Sequence, residues 1–259
     1  MIEAVNLWLK AILGFGRGLC AVPGRELKSG KRTHPISGVT IHESVCEKVG
    51  DGPGSDPEDV LAARGLSVHR TVHRPDDEAG EGVETRVTTH VLIDRAAWHA
   101  GTWHNQRDVG IEIENRYRPK VDSLDLVGAP INGKRDIIAA RWAWKGKRKH
   151  RLYVAPAISQ LEALWAQILV IAQDHGLTPW FPAVTAKGFK WGRSAAHKNR
   201  ADGKLAVVAH YRWAHADGLV PEHYCWLRSL GHTSETAYRE TLRAGAARKT
   251  WTLPPTIGA

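Results

Sequence analysis

Glu112 and Glu114 stand two apart in the run Asp108-Val109-Gly110-Ile111-Glu112-Ile113-Glu114-Asn115, with apolar residues between them. At period two this reads as a strand whose Val109, Ile111 and Ile113 face pack on a core while a carboxylate face is left open. Two carboxylates sharing an open face repel each other unless a cation is near. The loop before them, Trp98-His99-Ala100-Gly101-Thr102-Trp103-His104-Asn105, carries flat rings with polar tips and suits the wall of a site. Two further strand-like runs each end on a histidine, Val39-Thr40-Ile41-His42 and Leu205-Ala206-Val207-Val208-Ala209-His210, and Asp217 follows the second. Two neutral imidazoles and a carboxylate, with a fourth position left to water, are what a catalytic zinc needs. Glu112 is then placed to take a proton from that water. Glu114 is separated from it by a full pleat and reads as a supporting or structural group. The chain has fourteen histidines, so spacing alone leaves other sets open, His197 with Asp202 among them. His210 is preferred because an apolar strand delivers it, whereas His197 lies in a Lys- and Arg-rich loop.

The elements that must position these groups read as follows. Residues 1–36 form an N-terminal arm, irregular or opening on a helix. Residues 37–42 are a strand. Asp56 caps a helix with Pro57 at its first position, ending at Gly65. Ser67–Arg74 and Val83–Ile93 are two strands joined as a hairpin. Residues 116–155 are a basic insertion in which Trp142-Ala143-Trp144 and Leu152-Tyr153-Val154 flank Lys145-Gly146-Lys147-Arg148-Lys149, an exposed hairpin. Pro156 introduces the clearest helix, with Ile158, Leu161, Leu164, Trp165, Ile168 and Ile171 at helical spacing and Gly176 as its stop. A second, loop-like insertion spans 179–204. Two closing helices, Pro221–Leu230 and Ser234–Arg243, precede a Pro-rich tail, so that 231–259 is a C-terminal helix and tail. Alternating strands and helices favour an α/β fold with a mixed central sheet flanked by helices, carrying basic loop insertions.

A chain of 259 residues can bury a sizeable core. Its net charge of +9 points to a polyanionic partner: nucleic acid, wall polymer or membrane headgroups. Eleven tryptophans suit stacking on bases or sugars as well as core packing. The basic residues gather in the two insertions and form no nucleic-acid reading motif, so nucleic acid is not the expected partner. Cys20, Cys46 and Cys225 share no close spacing and support neither a disulfide framework nor a zinc knuckle. The apolar run Leu7–Leu13 is too short to span a bilayer and, with Glu3 before it and Lys10 inside it, is a poor signal peptide. Cytoplasmic synthesis without Sec export is therefore expected, and no transmembrane segment.

The block Ala97-Trp98-His99-Ala100-Gly101 followed by Asp108-Val109-Gly110-Ile111-Glu112-Ile113-Glu114-Asn115 resembles the signature of the zinc-dependent N-acetylmuramoyl-L-alanine amidases, the amidase-2 group related to the peptidoglycan recognition proteins. The outer runs follow in that family's order. Val39-Thr40-Ile41-His42 resembles the strand ending on its first zinc histidine, and Leu66-Ser67-Val68-His69 its S-x-H strand, with the histidine facing the substrate groove. Val207-Val208-Ala209-His210 resembles the strand of the second zinc histidine, and Asp217-Gly218 the third ligand and its follower. The resemblance spans residues 37–230. It implies Zn2+ held by His42, His210 and Asp217, Glu112 as general base, and a groove lined by His69, Trp98 and His99. The substrate implied is peptidoglycan or a muropeptide, cut between N-acetylmuramic acid and L-alanine. Where the family tends to have Lys or Thr as an oxyanion stabiliser, this chain has His215. The His210–Asp217 spacing is shorter than the family's. That departure keeps a non-catalytic peptidoglycan-binding protein as the alternative. The weak signal segment suits either a phage-type lytic enzyme released through a separate lysis system or a cytoplasmic muropeptide-recycling amidase.

Overall fold

The structure, a computed structural model, describes residues 21–45, 57–73, 85–115, 117–118, 137–144, 147–154, 156–191, 198–210, 218–246 and 251–252. Its centre is a seven-stranded mixed sheet. In chain order the strands are β1 (Val22–Pro23), β3 (Gly38–Val45), β4 (Arg70–Val72), β5 (Val87–Thr89), β7 (Asp108–Asn115), β11 (Thr178–Trp180) and β14 (Lys204–Ala209), and across the sheet they run β1-β5-β4-β7-β3-β14-β11. β4, β7, β3, β14 and β11 are parallel neighbours, whereas β5 runs antiparallel to β4. That last pairing is the hairpin expected between the two runs flanking residues 74–84.

The alternation of β7 has its expected cause on one face and a different environment on the other. Val39 and Ile41 of β3, Val109, Ile111 and Ile113 of β7, and Leu205 and Val207 of β14 are all buried on one side. They pack against Leu161, Leu164, Trp165, Ile168 and Ile171 of helix α3 (Ile158–Asp174). α3 ends where expected: Gly176 adopts φ 63 and the Leu177 N–H returns to the Ala172 carbonyl at 2.7 Å, a glycine-terminated helix end. α1 (Pro57–Ala63) matches the helix begun by Pro57, and α2 (Thr102–Asn105) is a single turn after Gly101. α4 (Leu219–Ser229) and α5 (Ser234–Ala246) are the two closing helices. Glu162 of α3 accepts from Arg228 Nε of α4 at 2.6 Å and also takes the Tyr224 hydroxyl, tying the two helices together.

Three expectations are corrected. The described part of the arm, 21–36, is strand and loop: β1 lies parallel to β5, and β2 (Ser29–Lys31) pairs antiparallel with β6 (Arg95–Ala97). The second insertion is not only loop, because β11 forms one edge of the main sheet and β12 (Val184–Thr185) pairs with β13 (Gly188–Phe189). The carboxylate face of β7 is covered, with Glu112 6% exposed. In the first insertion β9 (Ile137–Trp144) and β10 (Lys147–Val154) form the expected hairpin, with Trp144 opposite Lys147. β8 (Tyr117–Arg118) and β15 (Trp251–Thr252) complete this second sheet, so the tail contributes a strand that its composition did not announce. Among the described residues no helix is long and apolar enough to cross a membrane.

Candidate active site

The polar face of the sheet is a field of imidazoles. Side chains of register partners in parallel strands share a face, so Thr40, His42, Gly110, Glu112, Glu114 and Thr71 lie together, opposite the core. His42 of β3 is the register partner of Glu112 of β7, and Thr71 of β4 flanks Glu112 on the other side. Ala209 pairs with Ile41, and the His210 N–H goes to the Ile41 carbonyl at 2.8 Å, which sets His210 beside His42. One row of side chains thus crosses four strands: Thr71, Glu112, His42, His210. The His42 and His210 rings lie with centroids 4.4 Å apart. Both expected zinc histidines and the expected base are therefore brought together.

The loop from Trp98 forms the roof. Asn105 Oδ1 accepts the N–H groups of His99 and Ala100 at 3.0 and 2.9 Å, folding the loop back on itself. His99 lies flat on β7 where Gly110 has no side chain: a Cβ there would sit 2.8 Å from the ring. From that seat His99 Nδ1 is 3.0 Å from His42 Nε2, and the two rings meet edge to face. Burial pushes the His99 pKa down to about 3, so this imidazole is neutral. Trp98 is half-buried at the rim; its ring lies where a Gly30 side chain would be, with Lys28 Nζ 5.5 Å from the ring centre.

His69 does not face a groove. It is fully buried, its Nδ1 accepts the Gly110 N–H at 2.9 Å, and its Nε2 lies 3.0 Å from the Arg95 carbonyl. Arg32 Nη2 also lies 2.9 Å from Nε2, so both ring nitrogens are engaged in the interior, His69 braces the roof against β7, and burial holds it neutral. Glu114 is similarly structural: its carboxylate lies 3.4 Å from His73 Nδ1, while Glu58 of α1 lies 3.2 Å from His73 Nε2. Burial opposes the charges, but the two carboxylates raise the His73 pKa, and hydrogen bonding to His73 brings Glu58 down to about 2. His73, held between Glu58 and Glu114, gives the second carboxylate of the strand a buried partner of its own.

His215, Asp217 and His197 lie outside the described residues, and Asp202 is exposed. Among the described residues no three His, Cys, Asp or Glu side chains converge on a metal position. The structure does show how the ends of the span 210–217 are fixed. Gly218, at φ 78, sits so close that a Cβ would lie 2.4 Å from the Ile41 carbonyl oxygen and 3.2 Å from Ala209 Cα. Its N–H donates to the buried Glu43 carboxylate at 2.9 Å, and the Ala209 N–H donates to the buried Glu222 carboxylate at 3.0 Å. The chain leaves at His210 and returns at Gly218 to one place, at the edge of the His42–Glu112 row.

Sequence reading missed Glu43, Glu222 and a second hub, Asp108. Asp108 is fully buried and accepts from Thr40 Oγ1 at 2.8 Å, pairs with His104 Nδ1 at 2.7 Å and takes Arg200 Nη2 at 2.7 Å. Burial alone would raise its pKa, but His104 and Arg200 hold it below the usual range. Arg200 and Arg107 also flank the Trp103 ring at 4.6 and 4.9 Å. No period or spacing marks such partners, which are up to 92 positions apart.

Burial raises the Glu222 carboxyl from 4.5 to about 8, despite the opposing Ala209 bond. A raised folded-state pKa means the native state keeps a proton that the unfolded chain has released. Stability from this group is full below pH 4.5 and is lost as pH rises toward 8. Glu222→Gln should therefore flatten the fall in unfolding free energy between pH 5 and 8, a change of a few kcal/mol by order of magnitude, read from denaturant melts. An unchanged slope would contradict the assignment.

With this geometry in place, the family model described as Amidase_2, N-acetylmuramoyl-L-alanine amidase, matches residues 32–225. The chain belongs to this amidase family. No curated protein matches it. Among solved structures, Staphylococcus aureus hydrolase AmiA in complex with its ligand is similar at 11% identity over 90% of each chain, TM-score 0.38. AmpDh3 from Pseudomonas aeruginosa in complex with anhydromuramic pentapeptide is similar at 16% identity over 89% of this chain and 78% of that one, TM-score 0.34. Overlaps this loose carry no functional argument; the family match and the residues above do. The family block includes every expected site residue of this amidase-family chain, from His42 to Asp217.

Proposed function

We propose that this chain is a zinc-dependent N-acetylmuramoyl-L-alanine amidase that cuts between N-acetylmuramic acid and L-alanine in peptidoglycan. The observation that carries the reading is the juxtaposition of His42, His210 and Glu112 on one row of the sheet, with Gly218 anchored against Ile41 and Ala209 beside it. The donor set suits zinc: two imidazoles from adjacent strands, which Asp217, next in sequence to the anchored Gly218, would complete. Zinc held there would supply Lewis-acid chemistry, polarising the scissile carbonyl and lowering the pKa of the attacking water. Glu112, on the neighbouring strand, takes the proton from that water and delivers it to the leaving amine nitrogen. His215 donates a hydrogen bond to the oxyanion, and this makes activity more pH-dependent near neutrality than a lysine would. Trp98, half-exposed at the rim, lines the substrate path.

We also infer a lytic, phage-type role acting on wall after release from the cytoplasm, rather than muropeptide recycling. Support comes from the net charge of +9, which favours a polymeric anionic substrate over a small soluble one. The test has two arms. Zinc binding to the metal-free protein should be lost in His42→Ala, His210→Ala and Asp217→Ala and kept in Asp202→Ala; the reverse for the two aspartates would move the third ligand. Turnover on intact walls should exceed that on short soluble muropeptides and fall as salt rises. Preference for the soluble substrate would favour recycling, and zinc-free wall binding without turnover would favour a recognition protein.

A further inference from the structure

The contact between His42 and His99 bears on which nitrogen of His42 faces a metal. Nε2 of His42 points at His99 Nδ1 at 3.0 Å. The His99 ring cannot turn away easily: Gly110 forms its floor, with a notional Cβ 2.8–3.0 Å from three ring atoms, and Asn105 pins its backbone. Its other nitrogen, Nε2, is buried, and the Asp108 backbone is a further hydrogen-bonding group against the ring. A histidine that binds a metal through one nitrogen usually donates the N–H of the other to a fixed acceptor, which sets its tautomer and orientation.

We propose that His99 is a positioning residue: its Nδ1 accepts the Nε2–H of His42, leaving the Nδ1 lone pair of His42 to face the metal. The inference rests on the zinc reading above and gives the Trp98-His99 loop a task beyond lining the groove. It also explains why β7 carries glycine at 110, one step before Glu112 on the same face. Any side chain there would lift His99 off His42.

The direct test reads the tautomer in metal-free protein labelled with 15N-histidine, by long-range proton–nitrogen correlation. The expected spectrum shows His42 protonated on Nε2 and His99 unprotonated on Nδ1. A proton on His42 Nδ1, with His99 Nδ1 as the donor, overturns the proposal. Zinc affinity gives a second readout. His99→Ala should weaken it about 10–100-fold, and Gly110→Ala should do so by displacing the ring. His99→Asn, whose amide oxygen reaches the Nδ1 position, should restore most of the affinity. Equal zinc affinity in wild type, His99→Ala and Gly110→Ala overturns the inference while leaving the zinc reading intact. Absence of zinc binding in the wild type defeats the zinc reading itself.

Discussion

Replacing Glu112 with glutamine should, on the proposed zinc-amidase mechanism, leave a folded, zinc-binding protein that hydrolyses its substrate about 10²–10⁴ times more slowly, the range expected on loss of a positioned general base. The amide keeps the size of the carboxylate in a site where only 6% of the residue is exposed, but it cannot take a proton from water. In the proposed role Glu112 acts on the proton and not on ground-state binding, so the loss should fall on kcat with KM little changed. Glu112→Ala should show the same kinetic loss, with some added loss of stability from the space left beside Thr71 and His42. Parallel measurements of zinc content, thermal unfolding and turnover check the prediction. Loss of zinc in the glutamine variant would make Glu112 a ligand instead of a base, and retained turnover would remove it from the chemistry.

The second large effect is on stability. Asp108→Ala should destabilise the chain by about 3–5 kcal/mol, because it removes the buried carboxylate that Thr40, His104 and Arg200 share. For a chain of this size that is a drop in Tm on the order of 10 °C. The carboxylate is fully buried, with Arg200 only 13% and His104 only 5% exposed, so solvent screening does little to soften the loss. Asp108→Ala with Arg200→Met should cost less than the sum of the single changes, since each single change breaks the same buried contact. Strict additivity in that cycle would show the pair to be uncoupled. The same bonds tie the 198–200 segment and the Trp103 loop to the start of β7, so the damage should extend to zinc affinity.

What could be read beforehand followed from period and punctuation. Val109, Ile111 and Ile113 announced a strand with one buried face, and Leu161, Leu164, Trp165 and Ile168 announced the helix packed on it, because both patterns repeat at fixed intervals. His42 and His210 were legible as neighbours only through the ordered family blocks; nothing in their separation of 168 positions implies that they meet. The open carboxylate face was misread because the cover comes from elsewhere. The His99 roof, the Glu58–His73 pair and the β2–β6 ribbon belong to segments whose docking depends on tertiary contacts rather than on local spacing. His69 was placed in the groove by resemblance, whereas Gly110 and Arg95 hold it in the interior through backbone bonds that a single sequence does not display. Buried hubs such as Asp108 and Glu222 are the hardest to foresee, since an acidic residue at the start of a strand or helix reads as exposed.

The most direct measurement is digestion of purified bacterial walls by the protein as prepared, after chelation, and after zinc is restored, scoring newly exposed amino termini. The account predicts new L-alanine amino termini that disappear on chelation, return with zinc and are absent with Glu112→Gln. New termini on any other residue, newly exposed sugar reducing ends in place of amines, or full activity in chelator would contradict it.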